Sequence, residues 1–302
     1  MKDQSLRSIR QQLVELSNGP KPTIEVARSK FNAFCNQFIS NNDLELEDIT
    51  LQHCLATWIN RDRIIDETKK VILFFHGGAF SKGSTRGHLN FLNQLLKACS
   101  IPILGVDYRH IPEYPFPSGL EDCIESHAFL LREGYSSKNV AWVGFTSGGS
   151  LALSALSELL NKNIPLPKAC VCISPATDIS FQHASTENFK KDWISKEKLE
   201  QVTRLYGADE DLKSPKISPV YADLQKLPPL LLQVGSDEVL RGDIEHYASM
   251  AKKAGANVQL SVWKDMIHCW PLFSSALPSE DGSITEVAEF IAKHLNTSNS
   301  EQ

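Results

Sequence analysis

The sequence predicts an α/β fold in one domain: a mostly parallel, eight-stranded sheet flanked by helices, with a helical cap. Three observations carry this. Short, continuous apolar runs recur along the chain, and amphipathic helical patterns separate them. One run ends in a glycine-framed hydroxyl residue and passes directly into a helix of small residues. A long segment without any apolar run later interrupts the alternation, as an inserted cap does.

Size and composition permit this fold. The 302 residues can bury a sizeable core. Hydrophobic content of 42% and charged content of 22% are ordinary for a globular protein. A net charge of −5 and a pI near 6.0 give no reason to expect nucleic acid or an anionic membrane as partner. No apolar stretch approaches the roughly 18 residues of a membrane span. The start, Met1-Lys2-Asp3-Gln4-Ser5, lacks the apolar region of a signal peptide. Seven scattered cysteines without a C-x-x-C pair suggest neither a metal site nor a disulfide framework, and a cytoplasmic location is expected.

The elements follow in order. Leu6, Ile9, Leu13 and Leu16 share one helical face, and Asn18-Gly19-Pro20 ends it. Thr23 opens a second helix with Ile24, Ala27, Phe31, Phe34 and Phe38 on its apolar side. Residues 49–59 alternate as one or two strands. Buried strands are predicted at 71–75, 101–106, 141–143, 169–173 and 230–234, and a last strand at 259–263. Helices are predicted at 88–99, 119–131, 147–160, 243–254 and 284–295. The last is opened by a capping box of Ser283 and Glu286, and Asp243 is expected to cap its helix. Cys170 and Cys172 share a predicted strand and are expected to pack on opposite faces. The tail from Asn296 is polar and expected to fray. Residues 181–227 are charged, helical and proline-punctuated, without a buried strand.

The chemistry centres on Gly144-Phe145-Thr146-Ser147-Gly148. This has the form of the G-x-S-x-G nucleophile elbow, with threonine where serine is usual. The plainer alternative is a tight turn with a capping hydroxyl. Ester hydrolysis by a hydroxyl also needs a base, a group that orients the base, and donors for the oxyanion. His76-Gly77-Gly78-Ala79-Phe80 follows the first long buried strand and resembles an esterase H-G-G-G loop. Gly78, Ala79 and Ser147 are the expected N–H donors, with His76 and Gly77 supporting the loop. His268 follows the last strand and is the candidate base. Asp237 and Glu238 follow another buried strand and compete for the acid. The order nucleophile, acid, histidine is that of α/β hydrolases.

Further segments complete the set: Asp107-Tyr108-Arg109-His110-Ile111-Pro112-Glu113, Ser174-Pro175 with Asp178, Ser218-Pro219 with Asp223, and Gly235-Ser236-Asp237-Glu238-Val239-Leu240. With these the chain resembles the bacterial hormone-sensitive-lipase-like carboxylesterases over roughly residues 71–270. The resemblance implies a single α/β-hydrolase domain capped by about 1–40 and about 181–227. It implies no metal or organic cofactor and an ester substrate with a short to medium acyl chain, cleaved through an acyl-enzyme. A homodimer through a sheet edge also fits the family. Counting back from Leu240-Arg241 places Glu238 on the family's acid position, whereas a shorter loop gives Asp237.

Threonine is the departure. A one-residue shift would make Ser147 the nucleophile, but Phe145 would then occupy a position that needs glycine. With Thr146 at the elbow, a β-branched residue stands at strained backbone, and its methyl competes for space with base and substrate. Two functions follow: a slow esterase using Thr146, or a catalytically impaired hydrolase-fold protein that binds a small molecule, as the plant gibberellin receptors of this family do. Glu238 and His268 point to the first, Thr146 to the second.

Overall fold

The computed structural model describes residues 2–18, 23–38, 43–64, 68–208, 210–277 and 282–296. The tail beyond Asn296 and the Gly19-Pro20 break lie outside them. Eight strands form one sheet in the order β1-β2-β4-β3-β5-β6-β7-β8. They are β1 (Leu46–Thr50), β2 (Leu55–Ile59), β3 (Val71–Phe75), β4 (Ile103–Asp107), β5 (Val140–Phe145), β6 (Ala169–Ile173), β7 (Leu230–Gly235) and β8 (Val258–Trp263). The 49–59 stretch therefore yields a hairpin. β1 pairs antiparallel with β2, and β2 antiparallel with β4. From β4 to β8 every pairing is parallel.

The continuous apolar runs are explained by two cores, one on each face. Leu73, Phe75, Trp142, Cys170 and Leu232 point to one; Ile72, Phe74, Val143, Val171 and Leu231 point to the other. Helices α4 (Ser118–Arg132), α5 (Ser147–Asn161) and α7 (Arg241–Lys253) supply side chains to the first core. Helices α3 (Leu89–Cys99) and α8 (Ser283–Asn296) supply the second. Each fully buried Leu, Ile or Phe contributes about 1.5–3 kcal/mol, and the site hangs on this frame.

The N-terminal helices pack on the second core, and residues 181–227 pack mainly on the first. Helix α1 (Lys2–Asn18) buries Ile9 and Leu13, and α2 (Ile24–Asn36) buries Phe34 and Cys35. Residues 181–227 carry α6 (Lys196–Tyr206). Arg10 of α1 donates to the carbonyls of Lys190 and Asp192, at 2.5 and 3.2 Å. Arg28 of α2 donates to the carbonyl of Ser81 at 2.8 Å, so it grips the loop after β3.

Three sequence expectations need correction. Cys170 and Cys172 lie on one face, with sulfurs 3.7 Å apart. Residues two apart on a strand share a face, because the pleat has period two. Glu286 gives its carboxylate to Gln233, Gln259 and Ser261 rather than to a helix cap, and α8 begins at Ser283 itself. Asp243 lies inside the first turn of α7, after Leu240 as N-cap, and accepts from the N–H of His183 at 2.9 Å.

Candidate active site

The parallel strands deliver the loops of the site to one edge of the sheet. β5 ends at Phe145, and α5 begins at Ser147. Thr146 alone makes the turn between them, with φ 40° and ψ −109°. This is the left-handed side of backbone space, where a β-branched residue is strained by about 1–3 kcal/mol. The turn is held because Gly144 and Gly148 leave no room for alternatives. A Cβ on Gly144 would meet the carbonyl oxygen of Gly148 at 2.7 Å, and one on Gly148 would meet that of Phe75 at 2.2 Å. Thr146 N–H donates to Ile173 O at 2.9 Å, which ties the turn to β6.

The Thr146 side chain makes no capping hydrogen bond to α5. Its γ-methyl faces the loop after β3: a Cβ on Gly77 would lie 2.5 Å from it. Among the described residues its hydroxyl makes no hydrogen bond to His268. Ser147 is buried as the first residue of α5, and its hydroxyl lies 3.2 Å from that of Tyr108.

The loop after β3 is pinned by glycine. Gly78 has φ 139°, and a Cβ there would strike Lys82 O at 1.9 Å. Gly83 has φ 93°, and its Cβ would strike Gly77 O at 2.0 Å. Ala79 and Phe80 also take positive φ, 54° and 60°. Gly77 N–H donates to His88 Nε2 at 3.2 Å. Among the described residues the N–H groups of Gly78, Ala79 and Ser147 donate no backbone hydrogen bond. His76 is fully buried, stacks on Tyr108 at 4.2 Å and holds Gly77 O through Nδ1 at 2.9 Å. Burial, with the nearby His110 and His88, pulls its pKa well below the ordinary value and keeps it neutral.

His268 and Glu238 meet in the interior. Nδ1 of His268 lies 3.0 Å from Glu238 Oε2, and both side chains are buried. The other oxygen, Oε1, accepts from Ser174 Oγ at 2.7 Å and from Gly235 N–H at 2.6 Å. Burial disfavours the imidazolium, but the adjacent Cys269 and the Glu238 carboxylate favour it, and the net pKa moves well above 6.5. Asp237 points elsewhere, partly exposed, with Lys191 Nζ at 3.5 Å.

Sequence reading missed two members. Ser174, in the loop after β6, donates to Glu238 and accepts from Cys269 N–H at 3.2 Å. Asp192, in the 181–227 segment, is buried and accepts from three N–H groups: Trp193 at 2.8 Å, Val239 at 3.0 Å and His268 at 3.1 Å. Burial raises its carboxyl to about 6, against the opposing pull of His268. Ser174 carried a signal in its Ser-Pro motif. Asp192 carried none, since Lys-Lys-Asp-Trp reads as surface.

One further cluster has ligand-like composition. Asp178, His183 and Asp243 place ligand atoms within 4.8 Å of one another. Asp178 accepts from Ser180, Ser218 and Tyr221, and Asp243 accepts from His183 N–H, so the cluster braces the loops by hydrogen bonds.

Residues 72–272 match the model of a family described by its α/β hydrolase fold. The chain belongs to the α/β-hydrolase fold family. This hydrolase is 34% identical over 245 residues to an acetyl-hydrolase of Streptomyces hygroscopicus, covering 80% of this chain and 81% of the other. It is 27% identical over 266 residues to an esterase of Acinetobacter venetianus, covering 87% of each. Among solved structures it superposes on an esterase of the bacterial hormone-sensitive lipase family with TM-score 0.91 and 34% identity, covering 98% and 99%. The hydrolase is thus a carboxylesterase-type enzyme of the hormone-sensitive-lipase-like group. Among the described residues no helix is long and apolar enough to cross a membrane.

Proposed function

We propose that this hydrolase cleaves short- to medium-chain carboxylic esters slowly, with Thr146 as nucleophile. The observation that carries this is the buried Glu238–His268 pair at 3.0 Å, held by Ser174 at the end of β6, where Ile173 O also holds the N–H of Thr146, whose hydroxyl stands at a strained turn and caps nothing. Thr146 Oγ1 attacks the ester carbonyl, and His268 Nε2 takes its proton. Gly78, Ala79 and Ser147 donate N–H groups to the oxyanion, helped by the N-terminus of α5. The C–O bond to the alcohol breaks, and His268 returns the proton to the leaving oxygen. Water, deprotonated by His268, then cleaves the acyl-threonine. Glu238 holds the imidazole tautomer with Nδ1–H and stabilises the imidazolium. His76 and Gly77 shape the donor loop.

The methyl seated against Gly77 supplies the reason for slowness. A β-branched side chain has few χ1 choices, and the one adopted leaves the hydroxyl unbonded to His268. The same observation favours the second reading, a hydrolase fold kept for binding a small molecule. Helices α1 and α2 with residues 181–227 act as the cap of one domain. A homodimer would form at the outer edge of β8, where Val262 is exposed.

Peptide mapping by mass spectrometry after exposure to p-nitrophenyl butyrate and acid quench separates the readings. A butyryl group on Thr146 supports the nucleophile assignment; one on Ser147, or none at any time point during turnover, contradicts it.

A further inference from the structure

Two buried carboxylates lie together outside the hydrolytic residues without a basic side chain to neutralise them. Asp178 stands in the loop after β6 and Asp243 in the first turn of α7, and they are 3% and 1% exposed. Among the described residues neither forms an ion pair with a lysine or arginine. His183, at the root of the 181–227 segment, is the third member. Its Nδ1 lies 3.7 Å from Asp243 Oδ1, and ligand atoms of all three residues fall within 4.8 Å of one another. A separation of 3.7 Å is too long for a hydrogen bond. It is close to the roughly 3.4 Å between two ligands of one tetrahedral ion with bonds of about 2.1 Å.

Hydrogen bonds account for only part of the cluster. Asp178 Oδ1 accepts from Ser180 N–H and Oγ and from Ser218 Oγ, while Oδ2 accepts from Tyr221 at 3.3 Å. Asp243 turns its carboxylate to His183 and accepts from the His183 N–H through Oδ1 at 2.9 Å. Its Oδ2 is buried and, among the described residues, has no partner. A buried carboxylate oxygen without donor or cation is costly, and buried charges are as a rule paired or bound to metal. Burial raises the Asp243 carboxyl to about 7 against the pull of the His183 N–H, and the charge of Asp178 adds to the rise. The frame around the three residues is tight. A Cβ on Gly242 would meet His183 O at 1.9 Å, and Thr177 Oγ1 donates to Asp243 O at 3.0 Å. His246, about one turn beyond Asp243 on α7, stacks on the His183 ring at 4.0 Å and braces it. The His183 side chain is 46% exposed, which gives an ion a way in from solvent.

We propose that Asp178, His183 and Asp243 bind a divalent transition-metal ion, zinc by the chemistry of the set, with water completing the shell. An imidazole with two carboxylates suits zinc, whereas calcium and magnesium take oxygen ligands. The ion offsets the charge of the two carboxylates and gives the unpartnered oxygen a partner. It joins the root of the 181–227 segment to the helix that follows Glu238. Its effect is therefore on the stability of the cap and not on a step of hydrolysis, and the site stands whether or not Thr146 is the nucleophile.

The test uses the full chain, stripped with EDTA and titrated with zinc chloride by calorimetry. Zinc should bind, and the thermal midpoint should rise with zinc concentration. His183→Ala and Asp243→Asn should each weaken the binding about tenfold or more and remove the rise in midpoint. Cobalt chloride should give the visible d–d bands of an ordered site, and His183→Ala should abolish them. Absence of zinc binding overturns the proposal. So does binding that neither variant weakens, which would put the ion on other histidines or cysteines. Equal affinity for magnesium or calcium chloride overturns the choice of a transition-metal ion. If Asp243→Asn does not fold, His183→Ala decides, because that ring is nearly half exposed and its loss leaves no buried group unpaired.

Discussion

The γ-methyl of Thr146 rests against the bare Cα of Gly77: a Cβ on that glycine would lie 2.5 Å away. The remaining neighbours of such a Cβ, in Phe145, are at ordinary contact distance, 3.4 Å. The two residues are therefore matched, methyl to missing methyl. Gly77→Ala should destabilise the unaltered chain by about 1–3 kcal/mol through overpacking. In a Thr146→Ser background the same change should cost less than about 1 kcal/mol. Urea unfolding of the four proteins measures the coupling, and additive effects would contradict the contact.

Glu238, and not Asp237, faces the histidine. In the Thr146→Ser background, Glu238→Gln should reduce kcat by about a hundredfold or more, since the amide can donate to Nδ1 and favour the wrong tautomer. Asp237→Asn should leave kcat within about threefold, because a partly exposed ion pair contributes little. Steady-state kinetics on p-nitrophenyl butyrate checks both, and the reverse order would reassign the acid.

The pH dependence follows from His268. Its pKa is raised above 6.5, so the imidazole stays protonated to higher pH than a free one. A base must be neutral to accept a proton. The acid limb of kcat/KM should therefore have its midpoint above pH 6.5, and activity should climb into the alkaline range. Glu238→Gln removes a charge that favours the imidazolium and should move the midpoint down. A midpoint below 6.5 in the parent would contradict the assignment.

Asp192 ties the 181–227 segment to the loops that carry Glu238 and His268 through the N–H groups of Val239 and His268. It acts by positioning. Asp192→Ala should lower kcat about tenfold or more, with a smaller change in KM, because the base shifts relative to the nucleophile. Asp192→Asn keeps one acceptor oxygen and should recover part of the loss. Its removal also takes a negative charge from the surroundings of His268, so the pH midpoint should fall, which a purely structural loss would not produce.

Much of this site was legible because strand ends and small residues leave marks in sequence. The continuous runs gave the buried strands; Gly144, Gly148 and Gly78 marked close backbone approaches, and Gly77 the close approach of the Thr146 methyl. Glu238 over Asp237 could be reasoned only from register, and burial separates the two in space. Asp192 was invisible because its partners are backbone N–H groups from distant loops. Glu286 looked like a cap because cap chemistry is local, whereas its partners come from two strands. The cysteine pair failed for a simpler reason, a period-two pattern read as alternating.

As proposed, the Thr146 hydroxyl is the nucleophile and its methyl restrains it. Hydrolysis of p-nitrophenyl butyrate by the unaltered chain, Thr146→Ser and Thr146→Ala tests it most directly. Serine should raise kcat/KM about a hundredfold, and alanine should abolish turnover. Thr146→Ala hydrolysing as fast as the unaltered chain, or a folded Thr146→Ser that remains as slow, would contradict it.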